Sequence, residues 1–121
     1  MTEHAWVREL PVSITVCDAE GIITEMNDRA FATFAEDGGA TLIGRNVLQC
    51  HPEPARTLLA HLLQTGTSNC YTIEKAGKKK LIFQSPWYEE GKYRGLVEIA
   101  IPLPENMPHF VRPSPPHSPS P

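Results

Sequence analysis

The sequence predicts an α+β domain: two short strands, a helical stretch, then three longer strands with neighbours paired antiparallel. Three observations carry this. Stretches rich in β-branched and alternating apolar residues flank a central region. That region holds leucines at helical spacing behind a proline. The turns around Gly77 and Gly91 are too short for a crossover, so the strands they join must run antiparallel.

The elements follow in order. "HAWVREL" is a short leading helix that ends before Pro11. "VSITVCD" is a strand, "AEG" a turn and "IITEMN" the returning strand. Asn27 is a good N-cap for "DRAFATFA", in which Ala30, Phe31 and Phe34 share a face. "EDGGA" is a loop, and "TLIGRNVLQC" reads as one helical turn followed by an extended lead-in. The main helix spans about residues 53–65, with Pro54 in its first turn, where an amide hydrogen would have no partner. Ala55, Leu58, Leu59, Leu62 and Leu63 form its apolar stripe, and Gly66 caps its end. "SNCYTIEKAG", "KKKLIFQSPWYEEG" and "KYRGLVEIAIPL" are the last three strands.

The totals bound the function. The 121 residues suit one modest core, and 40% hydrophobic with 21% charged residues suit an ordinary soluble globule. A net charge of −3 argues against nucleic acid or an acidic membrane as partner. No apolar run approaches the ~18 residues of a membrane span, and "MTEHAWVREL" is no signal peptide. Three cysteines without CxxC spacing indicate free thiols and a cytoplasmic setting. Eight of the 12 prolines lie at or after Pro102, so residues 1–104 read as the domain and 105–121 as a disordered Pro-rich tail.

"VCDAEGIITEMNDRAFATF", "LIGRNV" and "WYEEGKYRGLVEI", in this order, resemble the opening hairpin and first helix, the Ile-Gly-Arg segment and the closing hairpin of PAS sensory domains. "CHPEPAR" through "YTIEKAGKKKLIF" resembles a subgroup of small bacterial PAS domains with Cys-His-Pro before the long helix. The resemblance covers roughly residues 5 to 103. It implies a five-stranded antiparallel sheet with helices packed on one face, and a small-molecule or cofactor cavity between them. One departure stands out: where many PAS domains run into a helical linker, Pro102 and Pro104 block a helix. The expectation is a sensor or adaptor without its own effector domain.

The expected cavity is mostly apolar. Phe31 and Phe34 approach it from the first helix, and Leu58 and Leu62 from the long one. The strands contribute Tyr71, Phe83, Ser85, Val97 and Ile99; alternation groups Tyr71 with Ile73, and Phe83 and Ser85 with Leu81. Either Cys50 or His51 supplies a polar or soft contact at the rim.

Sharper readings of the Cys50–His51 pair are weaker. Adjacent residues rarely point at each other, so a nucleophile with its base is disfavoured, and a small thiol enzyme is the second alternative. The first alternative is a haem-binding redox or gas sensor, which the resemblance allows. The ligand spacing of such sensors would place the axial His at position 59, which is Leu59. His61 lies off the apolar stripe and faces solvent, leaving His51 as the candidate. Cys50, His51, His61 and Cys70 match no zinc spacing. The leading reading is a non-enzymatic ligand-binding sensory module. It would act through a homodimer and a separate effector protein such as a kinase or regulator. Apolar residues on both faces of "LIF" and "LVEIAI" suit a sheet covered inside by helices and outside by another subunit.

Overall fold

A computed structural model describes residues 4–115. The elements are α1 (Ala5–Arg8), β1 (Ser13–Asp18), β2 (Ile23–Met26), α2 (Asp28–Thr33), α3 (Ala55–Thr65), β3 (Asn69–Lys75), β4 (Lys78–Glu89) and β5 (Lys92–Leu103). The five strands form one antiparallel sheet in the order β2-β1-β5-β4-β3. The chain thus opens on one edge, crosses by way of α2 and α3, and returns through β3 at the far edge. The long final strand closes the sheet at its centre against β1.

Local chemistry explains the punctuation. Asp18 Oδ1 accepts from the amides of Glu20 and Ile22, both at 2.9 Å, which folds the β1–β2 turn. Asn27 caps α2, its Oδ1 accepting from Ala30 N at 3.1 Å. Gly66 ends α3 in the left-handed conformation, and its amide donates to Leu62 O at 2.9 Å. Between α2 and α3 the chain makes three 3₁₀ turns, Ala35–Asp37, Gly39–Leu42 and Val47–Cys50. The last corrects the expected extended lead-in. The side chain of Asn46 accepts from Leu48 N at 2.9 Å, which nucleates a turn where residue propensity alone suggested extension.

One face of the sheet carries Ser13, Thr15 and Cys17 from β1, Leu96, Glu98 and Ala100 from β5, and Ile82 and Gln84 from β4. α3 lies on this face: Leu59, Leu62 and Leu63 pack with Cys17 and Leu96 in one buried cluster. A second cluster joins Ile23, Met26, Ala30 and Leu42, with Phe31, Phe34 and Val47 against it. Leu58 departs from the expected stripe and is 47% exposed. The buried ridge centres on Leu59, Leu62 and Leu63, so Leu58 and Ala55 fall on its outer flank. His61 is exposed, as its place on the helix wheel requires.

The other face of the sheet carries Ile14 and Val16, then Val97, Ile99 and Ile101, then Leu81, Phe83 and Ser85. α1 borders this side, its Val7 and Arg8 lining a groove with Ile14, Val16 and Phe31. After Leu103 the chain runs without helix or strand to residue 115, with Phe110 and Val111 exposed. The rest of the expected tail, 116–121, lies outside the described residues. Among the described residues no helix is long and apolar enough to cross a membrane.

Candidate functional site

A cavity of about 260 Å³ lies between the inner face of the sheet and the α2–α3 connection. Its wall on the sheet is Thr15, Cys17, Leu96 and Glu98, continued by Ile23 and Met26 of β2. Phe34, Leu42 and Val47 close it from the connection, and Leu59 from α3. Asp37, Arg45, Gln49, Cys50 and His51 form its mouth. Polar Thr15 and Glu98 interrupt the apolar wall on the sheet, and the other polar groups lie at the mouth.

Cys50 and His51 both reach the cavity, and each spends a donor on the turn behind it. The Cys50 thiol donates to Asn46 O at 3.6 Å, and His51 Nδ1 lies 2.8 Å from Val47 O. A carbonyl can only accept, so Nδ1 carries a proton, and in the neutral tautomer this leaves Nε2 as the acceptor. Among the described residues no hydrogen bond joins Cys50 to His51. The arrangement lacks the thiol–base contact that nucleophilic catalysis requires. Cys17 is the buried thiol; burial pushes its pKa up, and Asp18 and Glu98 add to the effect against a lowering hydrogen bond from the Leu96 backbone. It packs as a small hydrophobe.

The other expected lining residues lie elsewhere. Phe31 faces the groove beside α1, because α2 turns Phe34 and not Phe31 toward the cavity. Leu62 is only 3% exposed and packs in the core cluster, while Leu58 faces outward. Phe83, Ser85, Val97 and Ile99 do share a face, with Phe83 opposite Ile99 and Ser85 opposite Val97, but it is the face away from α3. Tyr71 lies opposite Ile82 on the inner face, yet β3 is the sheet's edge and the ring stays 41% exposed, clear of the cavity wall. Burial and the Glu98 carboxylate still push the Tyr71 phenol up.

Glu98 was not anticipated as a site residue. It interrupts the apolar run "LVEIAI", and Gln84 interrupts "LIFQS". In the antiparallel register these two polar residues are direct neighbours. Gln84, 5% exposed, donates from Nε2 to Glu98 Oε2 at 2.9 Å, and accepts on Oε1 from Asn69 Nδ2 at 3.1 Å. The signal available in sequence was this pair of polar interruptions at matched positions in adjacent strands.

Among the described residues no group of three or more His, Cys, Asp or Glu is placed to hold a metal ion. No protein-family model matches the sequence, and no curated protein matches it. Solved structures do. A C-terminal domain from Streptococcus mutans superposes with a TM-score of 0.64 at 22% identity, covering 80% of this chain and 79% of that one. The PAS domain of BvgS from Bordetella pertussis gives a TM-score of 0.60 at 18% identity, covering 84% of each chain. The Aer2 receptor from Vibrio cholerae, described as a dual PAS-heme oxygen sensor, gives 0.57 at 17% identity, covering 77% of this chain and 95% of that one. At these identities the likeness is one of fold. Together with the strand order and the helix-covered inner face, it establishes that the chain is a PAS-fold domain.

Proposed function

We propose that this chain is a non-enzymatic sensory module that binds a small molecule in the cavity between sheet and helices. The observation that carries this reading is the cavity itself. It combines an apolar surface of Ile23, Met26, Phe34, Leu42, Leu59 and Leu96 with polar groups on the sheet and at the mouth, and its wall is shared by the sheet, the connection and α3. A ligand there touches both Leu96 on the sheet and Leu59 on α3, so it favours one packing of helix on sheet over others. The change is passed to a partner through the sheet's outer face, whose residues alternate with those of the wall. The partner is a second copy of this chain, and the readout is a separate effector such as a kinase or regulator; the setting is cytoplasmic. A receptor among the fold neighbours is described as an oxygen sensor, which supports the sensory reading.

The test is native mass spectrometry of protein purified from its own host. A small-molecule adduct that is lost on denaturation is expected. Protein that flies without an adduct, and whose melting temperature responds to no member of a metabolite library, would overturn the reading.

Haem is the second reading, and one observation favours it: the tautomer of His51 leaves Nε2 free at the cavity. The space does not fit the group. At about 260 Å³ the cavity falls below the ~300–1,000 Å³ of ordinary small-molecule sites, and a porphyrin needs more room than it leaves. A Soret band in freshly purified protein would reverse this assignment.

A further inference from the structure

Resting on the reading of the cavity as a ligand site, the geometry points to its ligand class. We propose a small apolar molecule carrying one cationic or strongly donating nitrogen, anchored on the Glu98 carboxylate. Glu98 lines the cavity on the central strand and is half-buried. Its Oε2 is held by Gln84, and Gln84 is in turn held by Asn69. This ladder runs across three strands along the inner face, so the carboxylate is oriented from behind. Among the described residues no donor reaches its other oxygen, Oε1. No described residue forms an ion pair with Glu98. A carboxylate beside apolar side chains, with no described cation in ion-pair contact, is a strong acceptor for an ammonium or amidinium.

The other charged groups at the cavity do not compete for this role. Arg45 and Asp37 are both exposed at the mouth, where water screens them. His51 has Nε2 as an acceptor while its ring is neutral, so it too prefers a donor. Cys17 is a buried, protonated thiol beside Leu96. Thr15, opposite Glu98 in the β1–β5 register, and Gln49 can each donate or accept, so they favour neither sign of ligand. The apolar part of the ligand lies against Met26, Phe34, Leu59 and Leu96.

The experiment titrates the full chain with benzylamine, toluene and benzoate, three probes of similar shape, and follows amide chemical shifts around the cavity. Benzylamine should bind about tenfold or more tighter than toluene, the scale of one hydrogen bond to a charged group, and benzoate should bind most weakly. Glu98→Gln keeps an acceptor for the Gln84 amide and loses the charge. It should keep the spectrum of a folded domain and bind benzylamine and toluene alike. Equal binding of all three probes by the wild-type chain overturns the anchor but leaves the cavity reading standing. A preference for benzoate overturns it in favour of Arg45. A benzylamine preference that survives in Glu98→Gln also overturns it. Binding of none of the probes, with no shifts at the cavity, overturns the anchor and the cavity reading together.

Discussion

Asn27 uses its whole side-chain amide. Oδ1 accepts from Ile14 N at 3.0 Å and Ala30 N at 3.1 Å, while Nδ2 donates to Val7 O at 3.0 Å and Val12 O at 2.8 Å. One residue therefore caps α2 and ties it to β1 and the end of α1. Asn27→Ala removes the cap and strands buried donors and acceptors, so chemical denaturation should report a loss of about 2–4 kcal/mol. Gly95 is constrained differently. Its φ is +151°, and a Cβ there would run into the Cys17 carbonyl. Gly95→Ala forces β1 and β5 apart at the cavity wall and should cost more than ~3 kcal/mol, or prevent folding. The thiols give a third residue-scale expectation. Cys50 and Cys70 are exposed and Cys17 is buried, so a chromogenic thiol reagent should titrate two groups quickly and the third only on unfolding. Because the Cys17 pKa is raised, the unfolded chain ionises first. Its contribution to stability is complete below about pH 8.5 and is lost as pH rises through the folded value; the raised Tyr71 and Tyr93 phenols act in the same direction at higher pH. A melting temperature that rose above pH 9 would contradict this.

At the scale of the element, α3 is held by its buried ridge and by its C-terminal end. Leu59, Leu62 and Leu63 fill the space over Cys17 and Leu96, and Tyr93 OH donates to Leu63 O at 2.8 Å. Leu62→Ala should cost roughly 2–5 kcal/mol as a core truncation, whereas Leu58→Ala should cost less than ~1 kcal/mol because that side chain, 47% exposed, is only partly covered. Equal losses in urea denaturation would mean the helix sits in another register. The connection from Phe34 to His51 is built differently, from short 3₁₀ turns pinned by side chains. Asn46 Nδ2 reaches Glu20 O at 3.2 Å, and Val47 N donates to Gly21 O at 2.7 Å, so the β1–β2 turn holds the far wall of the cavity in place. Trp87 performs a comparable task at the same end of β1, donating from Nε1 to Cys17 O at 3.0 Å.

For the whole molecule, the distribution of apolar residues between the two faces of the sheet matters most. The outer face presents Ile14, Val16, Val97, Ile99, Ile101, Leu81 and Phe83, with Phe83 37% and Ile101 36% exposed. The inner face, though covered by α3, includes Thr15, Gln84 and Glu98. An apolar face of this extent suits a second subunit. Sedimentation at tens of micromolar, an order-of-magnitude choice for standard interfaces, should show a dimer, and Phe83→Glu should yield a folded monomer. A wild-type monomer would remove the homodimer from the proposal. Truncation after Val111 should leave the melting temperature nearly unchanged, because among the described residues 104–115 are all exposed.

Local sequence determined what local physics controls. Asn27, Asp18, Gly66 and the glycine turns at Gly77 and Gly91 announce the element boundaries, because caps and tight turns are satisfied within a few residues. Short turns and leucine periodicity likewise made the antiparallel pairs and α3 legible. Tertiary structure alone decided which face of each strand looks inward. Alternation sorted Phe83, Ser85, Val97 and Ile99 onto one face, but the usual rule that the more apolar face is the buried one points the wrong way here. The inner face tolerates Glu98 and Gln84 because they satisfy each other across the β4–β5 register, a pairing of residues distant in sequence. The position of Cys50 and His51 was settled similarly, by a turn that Asn46 caps and Gly21 receives. Which residues line the cavity depends on long-range register and on how α3 lies across the sheet, and both are set by packing between segments rather than by the preferences of any one of them.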